Sequence, residues 1–145
     1  MDAIKVKRLR KQAILPTYGS QEAAGADLYA CLDSDLVINP GESAFVPTGL
    51  AMEIPKECAG LIYARSGLAC KRGLAPANKV GVIDSDYRGE FMVVLHNHGP
   101  QAQTVCHGER IAQLVITPVL TPAYEETDSL SDTQRAGGGF GSTGK

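Results

Sequence analysis

Gly81-Val82-Ile83-Asp84-Ser85-Asp86-Tyr87-Arg88-Gly89-Glu90 follows a turn containing Asn78 and runs straight into the apolar strand Phe91-Met92-Val93-Val94-Leu95. If this stretch stays extended, Asp84 and Asp86 share one face with Val82, because strand side chains repeat every two residues. A carboxylate beside β-branched residues and a tyrosine could act as a general base. Equally, both aspartates could be solvated residues of a hairpin turn. The stretch alone leaves both readings open.

Outward from it, prolines and glycines punctuate the chain at short intervals, with little sustained helical periodicity. Strands are expected at 4–9, 27–31, 36–38, 43–46, 50–54, 61–64, 80–84, 91–97 and 110–119, with turns at Asn39-Pro40-Gly41, Pro55-Lys56 and His98-Gly99-Pro100. Many short strands at this spacing predict an all-β domain, a sandwich or a jelly-roll-like distorted β-barrel. One short helix is expected from Ser66 to about Lys71, with Ser66 as its cap. Residues 1–124 form this domain. Residues 125–145 are polar and acidic, then glycine-rich, with almost nothing apolar except Leu130 and Phe140. Such a segment is a flexible end, or an arm that orders on a ligand or a neighbouring subunit.

At 145 residues, 43% apolar and a net charge of −2, the chain reads as one soluble domain. Lys5, Lys7, Arg8, Arg10 and Lys11 alternate with Ile4, Val6 and Leu9, which suits the solvent face of a strand better than a nucleic-acid arm. No apolar run follows Met1 and none reaches spanning length, so no membrane role and a cytoplasmic location are expected. Cys31, Cys58, Cys70 and Cys106 form no C-x-x-C pair and are expected to be reduced and mostly buried. His96 and His98 could share a strand face and hold a metal, but no third ligand is near and a structural role is favoured.

Other constellations surround the central stretch. Asp27, in Ala24-Gly25-Ala26-Asp27-Leu28-Tyr29, stands at the mouth of a strand, where it could simply satisfy turn amides. Arg65-Ser66-Gly67 puts a guanidinium, a hydroxyl and free amides at the start of a helix, an anion site or an ordinary cap. In Glu109-Arg110-Ile111-Ala112-Gln113, Gln113 needs partners for its amide if it faces inward, and Glu109 with Arg110 reads as a surface pair. The end, Gly139 to Lys145, matches part of a phosphate-binding loop pattern but lacks the strand, the hydroxyl residue after the lysine and the following helix, so that match is rejected. What remains is exposed amides, Arg135 and the aromatic Phe140, able to meet an anion and a flat ring.

Taken in order, these five segments resemble those of the trimeric deoxyuridine triphosphate nucleotidohydrolases, the dUTPases, from about Ala24 to Gly144. The resemblance implies a jelly-roll-like homotrimer with active sites at subunit interfaces. It also implies Mg²⁺-assisted cleavage of dUTP to dUMP and pyrophosphate, which limits uracil in DNA and supplies dUMP for dTMP synthesis. Carried over by motif, Asp84 would activate the attacking water. Arg65, Ser66 and Gly67 would bind phosphates, and Gln113 would place the α-phosphate and water. The hairpin from Asn78 through Gly81, Val82 and Ile83 would read uracil by its backbone. Tyr87 would pack under the deoxyribose, and Met92 would add a main-chain contact. Asp27 would reach the metal through water. Arg135 would hold the γ-phosphate, while Phe140, Gly141 and Ser142 would close over the substrate.

Ala64, Lys79 and Ala136 depart from the family pattern. Ala64 stands in place of a proline, Lys79 in place of a small or apolar hairpin residue, and Ala136 in place of a glycine, which matters if φ is positive there. Two alternatives remain: a dCTP deaminase of the same fold family, against which Tyr87 counts, and a non-catalytic nucleotide-sensing trimer, against which Asp84 and Phe140 count.

Overall fold

The computed structural model describes residues 3–139. Its strands are β1 (Val6–Arg8), β2 (Thr17–Tyr18), β3 (Ala26–Tyr29), β4 (Leu36–Ile38), β5 (Ser43–Pro47), β6 (Leu50–Met52) and β7 (Cys58–Tyr63). After helix α1 (Ser66–Arg72) come β8 (Leu74–Pro76), β9 (Gly81–Ile83), β10 (Met92–Asn97), β11 (Gln103–Val105) and β12 (Arg110–Pro118). The all-β expectation holds. β4 has the expected bounds, whereas β2, β8 and β11 were not foreseen, because two or three residues leave too little pattern to read.

The strands join in order β2-β3-β12-β7-β9, β5-β10-β8, β1-β6 and β11-β4. This is the jelly-roll-like arrangement expected, but the hydrogen bonding closes no barrel. All four sheets turn one face onto a single core, with Leu28, Ile38, Val46, Leu50, Leu74, Phe91, Val93, Leu95 and Ile111 essentially inaccessible. β10 shows why: Val93, Leu95 and Asn97 are buried while Met92, Val94 and His96 stand on the outer face. Burying side chains of this size contributes about 1.5–3 kcal/mol each. The exposed Lys5–Glu53 ion pair at 3.1 Å contributes about 0–1 kcal/mol, so packing decides stability.

Two local expectations are corrected. Ser66 is the first helical residue rather than the cap. Arg65, extended at φ −89° and ψ 129°, occupies that position, and no side chain caps the helix. Of the cysteines only Cys31 is buried; Cys70 and Cys106 are exposed, and all four are free thiols. Burial raises the Cys31 pKa above its ordinary value. Among the described residues no helix is long and apolar enough to cross a membrane. Beyond β12 the described residues carry no regular element, and residues 119–137 are exposed throughout.

Candidate active site

One row of side chains crosses the large sheet. Thr17 pairs with Asp27, Asp27 with Gln113, and Gln113 with Tyr63, so all four project from the same face. Asp27 accepts from Arg65 Nε at 2.7 Å through Oδ1 and from Arg110 Nη1 at 3.3 Å through Oδ2. Its side chain is only 13% exposed, so it is a partly desolvated carboxylate between two guanidiniums. Gln113 donates from Nε2 to the Ala64 carbonyl at 2.8 Å, which leaves Oε1 as its open acceptor. Gly25 makes room for that oxygen: a Cβ there would lie 2.7 Å from it. The departure at Ala64 costs nothing here, since the carbonyl is the group used.

Arg110 and Gln113 are three residues apart, and in a regular strand they would face opposite ways. The pairing slips between Arg110, opposite Tyr29, and Ala112, opposite Leu28, so Ile111 is the extra residue of a β-bulge. The bulge buries both Ile111 and Ala112 and returns Arg110 to the face of Asp27. Glu109 and Arg110 are therefore not a surface pair. Glu109 binds Arg72 instead.

Arg65 leads into α1, where the amides of Ser66, Gly67 and Leu68 have no acceptor within the helix, the first helical bond being Ala69 N to Arg65 O at 3.0 Å. A Cβ at Gly67 would meet nothing within 4 Å, so this end of the helix is open. Arg65, Gly67, Leu68, Lys71, Arg72, Glu109 and Arg110 line one groove with a volume of 380 Å³. Arg65, Arg110 and the open amides around Gly67, beside Asp27 and Gln113, make a cationic cradle, while Arg72 is engaged by Glu109 at its side.

The second group lies on the other side of β7. β9 ends at Ile83, and the chain turns at once, Tyr87 N donating to Asp84 O at 3.2 Å. Asp84 and Asp86 therefore do not continue the strand face of Val82; both are exposed turn residues. Asp84 nonetheless shares a groove of 330 Å³ with Val82, Ile83, Tyr87, Met92 and Phe45. Tyr87 donates from its hydroxyl to the Glu90 carbonyl at 3.0 Å, and its ring fills the place where Gly89 would carry a Cβ. Arg88 donates to Ser85 O at 2.8 Å and Tyr87 O at 3.0 Å. Glu90 accepts from Gly49 N at 2.8 Å, which anchors the turn to the body.

The hairpin before Asp84 is splayed. β8 is an edge of the three-stranded sheet and β9 an edge of the five-stranded one, so they do not pair with each other. Lys79, at φ 66°, closes the turn between them, its N–H bonding Pro76 O at 3.0 Å. As edge strands, β8 and β9 each leave main-chain donors and acceptors unpaired by a neighbouring strand on one side.

These two groups do not meet within one chain. Ile83 pairs with Gly60 near one end of β7, and Gln113 pairs with Tyr63 at the other. Asp84 and Gln113 are thus two strands and four residue steps apart, about 16 Å between Cα atoms. One water bonded to both would need their polar atoms within about 6 Å. The chain alone cannot assemble that arrangement. A larger concavity of 520 Å³, lined by Ile4, Val6, Leu15, Tyr18, Met52 and Ile116 among others, is apolar and holds none of these groups.

Of the tail residues, Arg135 is exposed and donates from Nε to Gly138 O at 2.8 Å, and Ala136 has φ 44°. Phe140, Gly141 and Ser142 lie outside the described residues. Asn78 sits in the splayed turn. His96 bonds Ser43 Oγ at 2.8 Å and lies edge-on to His98, and among the described residues no three potential metal ligands cluster. Sequence reasoning missed Arg110, Arg72 and Gly25. The bulge and the long-range partners that give them their roles leave no local signal.

Comparison with known proteins places the chain in a family. Residues 11–144 match the family model described as dUTPase. The deoxyuridine 5'-triphosphate nucleotidohydrolase of Syntrophotalea carbinolica is 50% identical over 141 residues, covering 97% of this chain and 96% of that protein. The dUTPase of Staphylococcus bacteriophage 80alpha, solved with dUpNHpp, superposes with a TM-score of 0.92 at 28% identity, covering both chains completely. A mutant dUTPase of phage phi11 of S. aureus, whose structure describes a structural Mg(II) ion, gives a TM-score of 0.80 at 24% identity over 88% of this chain and 98% of that one.

Proposed function

The chain belongs to the dUTPase family and hydrolyses dUTP to dUMP, and we propose that it does so in sites built between protomers of a homotrimer. The observation that carries this reading is the separation of Asp84 from Gln113 and Arg65 along β7. Each protomer contributes an Asp84 turn to one site and a cationic cradle to the next. Exposed apolar residues fit an assembly that covers them: Val82 is 63% exposed, Phe45 69% and Tyr124 98%.

In this reading Asp84 takes a proton from water as it attacks the α-phosphate, and pyrophosphate leaves. Gln113, its Nε2 committed to Ala64, presents Oε1 to orient that water. Arg65 and the amides of Ser66 and Gly67 hold the phosphates, and Arg135 meets the γ-phosphate. The splayed edges from Asn78 to Ile83 read uracil through the backbone. Tyr87, locked by Glu90 and Gly89, packs under the deoxyribose and excludes a 2′-hydroxyl, with Met92 alongside. Phe140, Gly141 and Ser142, in the arm of residues 125–145, close over the substrate. Phosphoryl transfer needs little covalent help, so positioning and charge neutralisation supply the rate.

Mg²⁺ fits this chemistry as a substrate-bound ion. Asp27 already serves two arginines, and among the described residues no all-protein cage surrounds it. Mg²⁺ keeps several waters and takes phosphate oxygens, so Asp27 would hold it through water, and the ion would neutralise charge on the phosphates. A cytoplasmic location belongs to the same reading. The deaminase and sensor alternatives find no support in the family comparison.

The test is a mixing experiment. Asp84→Asn and Arg65→Ala chains should each be almost inactive alone. Unfolded together and refolded, they should recover about a quarter of the wild-type rate, because a site then draws an intact turn from one chain and an intact cradle from its neighbour. Absence of recovery would mean that each site belongs to one chain. Pyrophosphate release from dUTP but not dCTP, dTTP or UTP completes the assignment, and ammonia from dCTP would reverse it.

A further inference from the structure

Arg72 closes α1, and its guanidinium is engaged on all three nitrogens. Nε donates to Gln103 Oε1 at 2.9 Å, Nη2 to the Thr104 carbonyl at 2.6 Å, and Nη1 to Glu109 Oε1. The other Glu109 oxygen accepts from Cys106 N at 3.1 Å. One side chain thus joins the end of the helix to β11 and to the turn that enters β12. The pair is partly withdrawn from water, at 31% and 25% exposure, and a planar fork meeting three acceptors is a geometry lysine cannot reproduce.

Besides Arg72, the helix is fixed at its start by Arg65 to Asp27 and just past its end by His98 N donating to Gly73 O at 2.8 Å. It is seven residues long, far below the length at which a helix holds itself, and Leu68 is its buried residue. Its other end carries Arg65, Ser66 and Gly67. Glu109, in turn, immediately precedes Arg110, which grips Asp27. The two elements that make the cradle, α1 and the start of β12, are therefore bolted together at Arg72 and Glu109.

We propose that Arg72, acting through Glu109, is a positioning residue for the hydrolysis, setting the pose of the phosphate cradle without touching substrate. This rests on the reading of Arg65 to Gly67 as the phosphate site. Loss of the bolt lets the helix pivot on Leu68, so the amides and Arg65 move relative to Asp27 and Gln113. The Asp84 turn and the uracil edges, on the far side of β7, are untouched.

The experiment compares binding of dUpNHpp, which carries the full phosphate chain, with binding of dUMP, which lacks the β- and γ-phosphates. Arg72→Ala should weaken dUpNHpp roughly tenfold, less than the hundredfold that a 1 Å misplacement can cost. It should leave dUMP within about twofold of wild type, by the same locality. Arg72→Lys should recover little of the loss, and Glu109→Gln should show the same selective loss; these two carry the test if the alanine variant does not fold. Equal weakening of both ligands, or no weakening of either, would overturn the proposal. Arg65→Ala separates the two readings. If it weakens dUpNHpp selectively while the Arg72 variants do not, the positioning role alone falls; if it too has no effect, the cradle assignment falls with it.

Discussion

The two halves of the candidate site are held in opposite ways. The Asp84 turn is closed largely by its own neighbours: Tyr87 N to Asp84 O, Tyr87 hydroxyl to Glu90 O and Arg88 to Ser85 O each span three residues. The cradle is held across the chain. Arg65 to Asp27 spans 38 residues, Gln113 to Ala64 spans 49, and Arg110 to Asp27 spans 83. A short-range turn can be altered without disturbing the body of the protein. A cradle built from β3, α1 and β12 exists only once those elements have packed, so its polar contacts serve both fold and chemistry.

Substitutions on each side should separate the two behaviours. Asp84→Asn should lower kcat by about 10²–10⁴, the usual contribution of a general base. Since Asp84 is exposed, its unfolding free energy should stay within about 0.5 kcal/mol of wild type. A urea titration beside a pyrophosphate assay measures both, and a large loss of stability would break the distinction. Asp27→Asn, in the cradle, should fail on both counts, because Arg65 and Arg110 are left facing each other without their counter-charge. A stability loss of about 1–2 kcal/mol is expected, reduced from the fully buried case by the exposure of the arginines. The Mg²⁺ dependence of its rate should weaken as well.

Gly89→Ala gives a smaller effect. The new methyl displaces the Tyr87 ring, so discrimination between dUTP and UTP should shrink by about tenfold in the ratio of kcat/KM while the turnover of dUTP changes less. Unaltered discrimination would remove Tyr87 from sugar selection. The smallest effect lies outside both half-sites. Desolvation first, then His96 and Lys79, hold the His98 pKa below its ordinary value. The folded form therefore resists protonation, and a slight loss of stability should appear as pH falls below about 6.5. Melting curves of wild type and His98→Gln should coincide above that pH and separate slightly below it.

The same contrast explains what could be read without coordinates. The strands β9 and β10 were legible because their pattern and flanking turns are local, and the turn reading of Asp84 and Asp86 was one of the two that the stretch left open. β4 was legible too, bounded by turn residues on both sides. The bulge at Ile111 was not, since the side on which Arg110 falls depends on which strand β12 pairs with. Glu109 looked like a partner for its neighbour, and only the fold brings Arg72 to it across 37 residues. The splay between β8 and β9 was hidden for the same reason: each strand pairs in a different sheet. Lys79 and Ala136 were flagged by residue type alone, and both adopt positive φ, which costs a residue with a Cβ about 1–2 kcal/mol.

That splay bears on inhibitor resistance. A ligand recognised by the open edges of β8 and β9 bonds to peptide groups, and peptide groups are common to every residue. No side-chain replacement deletes them; only proline removes an N–H, and it would also distort the strand. An inhibitor addressed to those edges would leave a mutating target few single-codon escapes. One addressed to Arg65 or Tyr87 would leave many.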